Sequence, residues 1–507
     1  MFTKVKKIIV FGGGTSGWLT VAFLSKNLNF PCEITLIEST SIGPIGVGEG
    51  TQPGTAKFLY DCGIHPKDWM KPSNASFKLG VEFVGWTDKN YFVDNDFIEN
   101  TVISPDLYTI DYFLGKDKQE FADWLPAYQL AKENKSPKLA GMDTNFAHTG
   151  IRQFGAVHFD AYKILDAIKA KVIQNINYVN STIVNVNQQD QAITGLVDEA
   201  GNVYTADLYI DCTGFSSILT SKTLNIPFRD VTDILPCDKA VVLQTQYANP
   251  EAECRPLTIS TAMNAGWKFT IPVFDRQGNG YVYSSKHITA EEAEHELRNN
   301  LNEFSAPAKH LGMRCGVHKT VAHSNVMTVG LSAGFVEPLE ATGITFTTKA
   351  VELLTEGLNS THGIWNTQVK QFINTQYASA FWEIVAFIWC HYKFSTKDDT
   401  QFWIDVRTCN IDTLPLEVQT ILNNFVPEMH RETFLSPGSI FHIGQWFSVL
   451  NAGGVYDNHE NTLTGDLEKY VEFFIKNQNY RVDLIKEMFP SHYGFLKDWY
   501  DNETHTF

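Results

Sequence analysis

In Lys4–Trp18 (KVKKIIVFGGGTSGW) a short apolar strand runs into Gly12-x-Gly14-x-x-Gly17, and Trp18–Leu24 then reads as a helix. One glycine permits the tight turn, one lets a pyrophosphate approach the backbone, and one lets helix and strand pack closely. Phosphate charge would meet the positive end of the helix dipole, with Thr15 and Ser16 in the same turn. A ribose hydroxyl needs an acidic partner about 20 residues further on. Glu38, which follows the strand reading Glu33–Ile37, is that residue. Strand, glycines, helix, strand and acid in this order specify a dinucleotide site. The module occurs once, which implies one firmly held nucleotide and reducing equivalents delivered from elsewhere.

Around that module the chain alternates between two periodicities. Segments 75–93, 192–197, 203–211 and 238–285 carry strand-like alternation, whereas 158–172 and 291–300 have helical spacing. Asp198–Asn202 is a hairpin turn, with Gly201 free to take a positive φ. Segment 325–331 reads as a further buried strand. Segment 94–150 is polar and irregular, the expected character of a flap or insertion. Beyond Thr347 helical periodicity dominates, rich in Phe, Trp and Tyr. The predicted fold is α/β: a doubly wound, Rossmann-like nucleotide domain with a mixed sheet over 1–349, then a mainly helical region over 350–507.

Composition narrows the function classes. Forty basic against 57 acidic residues give a net charge of −17, a poor match for a nucleic-acid backbone. Eight cysteines without a CxxC pair support neither a zinc site nor a disulfide framework, which fits a reducing compartment. The N-terminal apolar run is too short for a leader, and the longest apolar stretch, Phe381–Trp389, contains Glu383. The expectation is a cytoplasmic protein that engages no membrane. Aromatic residues make up 13% of the chain, enough for an aromatic-lined cavity as well as a core.

Several segments together resemble the flavin-dependent halogenases, within the flavin monooxygenases. They are GGGTSGW (12–18), IGVGEGTQP (45–53), SFKLGVEF around Lys78, HFDA (158–161), ADLYIDCTGF (206–215), GWKFTIP (266–272), NVMTVGLSAGFVEPLEATGI (325–344) and HYKFSTKDDTQFW (391–403). The resemblance implies FAD, used as FADH2 and supplied by a separate NAD(P)H flavin reductase. Oxygen converts it to a flavin hydroperoxide, which a halide (chloride, bromide or iodide) attacks to give hypohalous acid. That oxidant then reaches a separate pocket and halogenates an electron-rich aromatic carbon.

Residue by residue, the resemblance places catalysis on Lys78 and Glu340. Lys78 would act as an ammonium hydrogen-bond donor, or as an amine carrying halogen if burial lowers its pKa. Glu340 would stabilise the cationic ring and accept its proton; Glu337, in the same turn, reads as a surface or capping carboxylate. Thr342 and Gly343 would offer backbone N–H groups to the halide, alongside ordinary helix capping. Glu49 lies on the strap expected along the flavin, Asp211 and Gly214 would shape the nucleotide cradle, and Gly334 and Phe335 would approach the cofactor. Trp267, Phe269, Ile271 and Pro272 match the motif that screens substrate from flavin, with Phe269 in place of a second tryptophan. Ala341 stands where many tryptophan-specific members carry serine.

Phe441, Trp446 and Phe447 are the expected substrate pocket. It offers aromatic walls and few charged anchors, favouring a neutral indole or phenol over the clamped zwitterion of free tryptophan. A hydroxylating flavin monooxygenase, a flavin dehydrogenase and a non-catalytic nucleotide-binding protein are the alternatives. A homo-oligomer is compatible with the helical region.

Overall fold

The computed structural model describes residues 3–40, 49–95, 112–113, 118–138, 155–425, 439–459 and 464–502. Its centre is a six-stranded sheet in the order Ala322–His323, Val326–Thr328, Leu208–Asp211, Lys7–Phe11, Glu33–Glu38, Asn177–Asn180. All pairings are parallel except the first. The strand Lys7–Phe11 is apolar without alternation because both its faces are covered: Ile8 and Val10 enter the main core, Ile9 and Phe11 a second cluster with Tyr209 and Leu219. Helix Thr15–Asn27 is longer than the sequence suggested, since it begins inside the glycine turn.

A second sheet of seven strands runs Lys309–Gly312, Lys239–Thr245, Arg276–Tyr283, Gly266–Val273, Thr258–Met263, Gly80–Val84, Tyr91–Asp94. It is antiparallel apart from the parallel pair formed by Thr258–Met263 and Gly80–Val84. Trp267, Phe269 and Ile271 face the main core, while Lys268 on the opposite face reaches Asn300 of helix Ala290–Leu301 (2.7 Å). A small sheet of Glu49–Gly50, Ala156–Phe159 and Ser76–Lys78 sits beside these two. The segment from His158, expected to be helical, starts as the strand Ala156–Phe159. Its helix begins only at Ala161, where the Asp160 side chain accepts from Tyr162 N and Lys163 N.

Helix Gly343–Ser360 runs through position 350, so a boundary at 349/350 would fall inside an element. Helices then dominate: Thr367–Lys393, Gln401–Thr408, Leu416–Phe425, Ile443–Ala452, Gly465–Met488 and His492–Asn502. Much of the expected flap (96–111, 114–117, 139–150) lies outside the described residues. Residues 118–138, read as irregular, instead hold helices Lys118–Trp124 and Pro126–Lys132. Their apolar stripe of Phe121, Trp124, Leu125 and Leu130 is buried, and the intervening polar residues masked it in the sequence. None of the described helices is long and apolar enough to cross a membrane.

Candidate active site

The glycine turn is a cradle defined by what a side chain would strike. A Cβ at Gly12, whose φ is +118°, would lie 2.2 Å from Cys212 O, and one at Gly17 would lie 1.9 Å from Gly12 O. Gly13, given no role by the motif spacing, is as constrained: its Cβ would fall 1.7 Å from Glu38 Oε2. Gly14, by contrast, opens onto free space and caps the helix with no side-chain bond. An uncapped, open helix start without acidic residues in its first turn suits a pyrophosphate, so the residues fit FAD. Ser16 bonds Thr347 (3.1 Å) and holds the turn against helix Gly343–Ser360; Thr15 is the first residue of helix Thr15–Asn27. Glu38 is buried and shared: Tyr178 OH donates to it (2.6 Å), as do Trp18 Nε1 (3.2 Å) and Lys169 (3.5 Å). A ribose hydroxyl would join that set. Asp211 spends its oxygens on Thr213, Leu219 N and Thr220 N, which fixes the turn after its strand.

Lys78 and Glu340, far apart in sequence, are both fully buried. Adjacent strap residues hold them. Lys78 Nζ donates to Thr51 O (3.1 Å), and Gln52 Nε2 donates to Glu340 O (2.6 Å). Asn95 Nδ2 steadies Gln52 from behind (3.3 Å). Burial pushes Lys78 down to about 8, partly opposed by the charge of Glu340, so the two lie within electrostatic reach. Both carboxylate oxygens of Glu340 lack a hydrogen-bond partner among the described residues. His391 Nε2 stands 3.0 Å from Oε1 but off the line a ring N–H bond requires. A buried amine and a buried, open carboxylate within electrostatic reach of each other are expensive to fold and chemically ready.

The strand of Lys78 is pinned from several sides. Ser76 Oγ donates to Pro272 O (2.5 Å) and contacts His158 Nδ1 (3.2 Å), whose Nε2 meets Thr258 Oγ1 (2.8 Å). Burial and the nearby Lys78 charge keep His158 well below the usual imidazole range, hence neutral. His492, from the last helix, accepts from Phe77 N (3.1 Å). Strand Gly266–Val273 is thus bonded to the lysine strand through Pro272. Trp267 and Phe269 sit with ring centroids 6.1 Å apart, and Phe269 lies against Gly280, where a Cβ would come within 2.3 Å of its ring. Ile271 lies on the same buried face.

Glu340 ends a short 3-10 turn, Pro338–Glu340, and Ala341 follows with φ +54°, a left-handed conformation that costs a non-glycine residue about 1 kcal/mol. This kink separates Glu340 from the helix it precedes. Thr342 is buried, its Oγ1 has no hydrogen-bond partner among the described residues, and it does not cap helix Gly343–Ser360. The first N–H groups of Gly343 and its successors are therefore available to a small anion. Phe335 Cε2 is 4.0 Å from where a Cβ on Gly343 would stand, and Gly334–Phe335 pairs with Gly316–His318. Glu49 pairs its backbone with Phe159; residues 41–48 of the strap are outside the described set.

Glu337 corrects the surface reading: it is fully buried. Tyr392 OH donates to its Oε1 (2.5 Å), and burial, opposed first by that bond, pushes it up to about 7. Sequence reasoning also gave no role to Thr51, Gln52, Tyr91, His391 or Tyr392. His391 and Tyr392 lie inside the HYKFS segment, but nothing in its spacing shows what they touch.

The aromatic residues of the helical region form a chain of rings leading away from Glu340. Phe387 meets His391 edge-on (5.2 Å), stacks on Phe441 (3.9 Å) and meets Trp446 edge-on (4.8 Å). Phe447 turns elsewhere, against Phe121 (4.8 Å) and Tyr456 (5.8 Å). Glu383, on the same helix as Phe387, is occupied by Ser439 Oγ, Ile440 N and Phe441 N.

Comparison with known proteins identifies the family. The tryptophan halogenase family profile matches residues 7–468. A 7-chloro-L-tryptophan 6-halogenase, KtzR, from Kutzneria is 32% identical over 79% of this chain and 82% of its own. The tryptophan 7-halogenase RebH from Lentzea aerocolonigenes is 30% identical over 80% and 79%. Among solved structures, the flavin-dependent halogenase Xcc4156 from Xanthomonas campestris superposes with a TM-score of 0.86 at 26% identity, covering 98% of this chain and 99% of its own. The chain belongs to the tryptophan halogenase family, and it is a flavin-dependent halogenase with the FAD-binding, Rossmann-like fold.

Proposed function

We propose that this halogenase releases hypohalous acid at its flavin and uses Lys78 and Glu340 to direct it onto a neutral, electron-rich aromatic ring such as an indole or a phenol. The observation that carries this reading is the full burial of both side chains within electrostatic reach of each other, with Lys78 Nζ bonded to Thr51 O and the Glu340 backbone carbonyl bonded by Gln52. Bound FADH2 would supply reducing equivalents to oxygen and so the oxidised halogen, with halide held at Thr342 and Gly343. Gly12, Gly13, Gly14, Gly17 and Glu38 would hold the nucleotide. Residues 1–349 carry that chemistry and 350–507 the aromatic pocket.

With Lys78 pushed down to about 8, the ammonium is the main form at neutral pH. It hydrogen-bonds the hypohalous oxygen. As the carbon–halogen bond forms and the oxygen–halogen bond breaks, the departing hydroxide takes the lysine proton and leaves as water. The ring loses its proton to Glu340, which restores the one lost by Lys78. Acid and arene become halogenated arene and water. Halogenation then falls as pH rises through about 8; a halogen-carrying amine would instead make it rise.

Segment 439–452, SIFHIGQWFSVLNA, has no Asp, Glu, Lys or Arg, and Glu383 beside it is spent on backbone. Nothing there grips an ammonium and a carboxylate, which favours simple rings over free tryptophan. The test combines the protein with FAD, NADH, a flavin reductase, oxygen and bromide, and offers indole, phenol and free tryptophan. Brominated indole or phenol in excess is the expected product. Products carrying only added oxygen, or a strong preference for free tryptophan, would overturn the reading.

A further inference from the structure

Glu340 is served by a histidine that no motif role explains. His391 and Tyr392, consecutive residues near the end of helix Thr367–Lys393, reach the two carboxylates of the turn 337–340: Tyr392 bonds Glu337, and His391 faces Glu340 at 3.0 Å. On its other side His391 Nδ1 is 2.8 Å from Tyr91 OH. The imidazole and the carboxylate are both fully buried, and the ring is boxed by Phe83 (4.4 Å), Phe387 (5.2 Å) and Trp86 (6.1 Å).

Two atoms that both carry lone pairs would repel at 3.0 Å in such a dry site, so a proton belongs on one of them. Tyr91, whose hydroxyl is kept protonated by burial and by the charge of Glu340, is the donor to Nδ1. That leaves the imidazole proton on Nε2, on the Glu340 side. From this arrangement we infer that Tyr91 and His391 form a positioning pair which fixes the Glu340 carboxylate as an anion, with Oε1 engaged and Oε2 presented to the arene. The misalignment of the Nε2–H with Oε1 is of the kind that closes when substrate completes a site. In the step it serves, the ring C–H bond breaks, its electron pair restores aromaticity, and its proton passes to Oε2. The inference rests on the function proposed for Glu340.

The test uses the full chain with FAD, reductase, oxygen, bromide and indole, unlabelled or deuterated at the halogenated carbon. His391→Phe keeps the ring in its aromatic box but removes the donor. It is expected to lower kcat by roughly 10²-fold or more with KM little changed, while bound FAD and hypobromite captured by a chemical trap stay at wild-type levels. Proton removal becomes slow, so a primary deuterium isotope effect appears that the wild type lacks. His391→Gln, which retains a donor, recovers part of the rate, and Tyr91→Phe, missing one oxygen, shows a smaller loss with the same isotope effect. Rates within twofold of wild type in both His391→Phe and Tyr91→Phe would overturn the inference, as would lost rate without an isotope effect. If the wild type itself makes no brominated indole, the functional reading falls and this falls with it. If it does and the variants match it, only this inference falls.

Discussion

The nucleotide cradle and the Lys78–Glu340 centre are built by opposite means. In the cradle the chemistry belongs to the backbone, and side chains are excluded: Gly12, Gly13 and Gly17 each face an atom closer than any Cβ tolerates. In the centre the proposed chemistry would belong to side chains, and water is excluded, which is what lowers Lys78 and leaves Glu340 open. One site depends on shape alone, and a methyl group destroys it. The other depends on charge in a dry place, which destabilises the fold that contains it.

That contrast breaks most sharply at Gly13. Gly13→Ala puts a methyl 1.7 Å from Glu38 Oε2, so the purified variant is expected to carry no FAD and to make no halogenated product. Flavin absorbance after gel filtration reports it; normal loading would mean the cradle does not hold the nucleotide. Next in size, Glu340→Gln keeps shape but removes the proposed base, and kcat is expected to fall about 10²- to 10⁴-fold with FAD loading unchanged.

Lys78 sharpens the comparison through stability. Between pH 8 and 10.5 the unfolded chain binds a proton on Lys78 that the folded chain has released, so stability rises with pH across that window. At neutral pH the fold holds an ammonium against its burial, at a cost of about 3 kcal/mol. Lys78→Met is therefore expected to be inactive yet more stable in urea at pH 7, the gain vanishing above pH 10.5. An unchanged or reduced midpoint at pH 7 would show that the site tolerates the charge freely. Smallest is Phe269→Trp, which restores the second tryptophan of the motif that the segment resembles. With Gly280 already against the ring, overpacking is expected to cost about 1–3 kcal/mol, seen as a lower thermal midpoint with halogenation retained.

The cradle was legible because its parts are local: strand, turn, helix and acid follow within one βαβ unit. Only Gly13 escaped, since its constraint comes from the Glu38 side chain and not from the motif. Lys78 and Glu340 could be named only through resemblance, because a lysine in an alternating strand looks solvated until Thr51, His158 and Pro272 are folded around its strand. Glu337 was misread for the same reason: a carboxylate beside a proline turn resembles a surface cap, and only Tyr392 reveals its burial. His391 gave no sign, since a histidine's partner is a property of packing. The helices of 118–138 were missed because polar residues outnumber the apolar stripe that buries them.

The central claim is that oxidant formation and ring halogenation occur at separate places joined through Lys78. Its most direct test is Lys78→Ala, assayed with reduced FAD, oxygen, bromide and indole in the presence and absence of a hypobromite trap. The expected result is trapped oxidant at the wild-type rate, full FAD loading and no brominated indole. Loss of trapped oxidant together with product, or bromination at the wild-type rate, would contradict it.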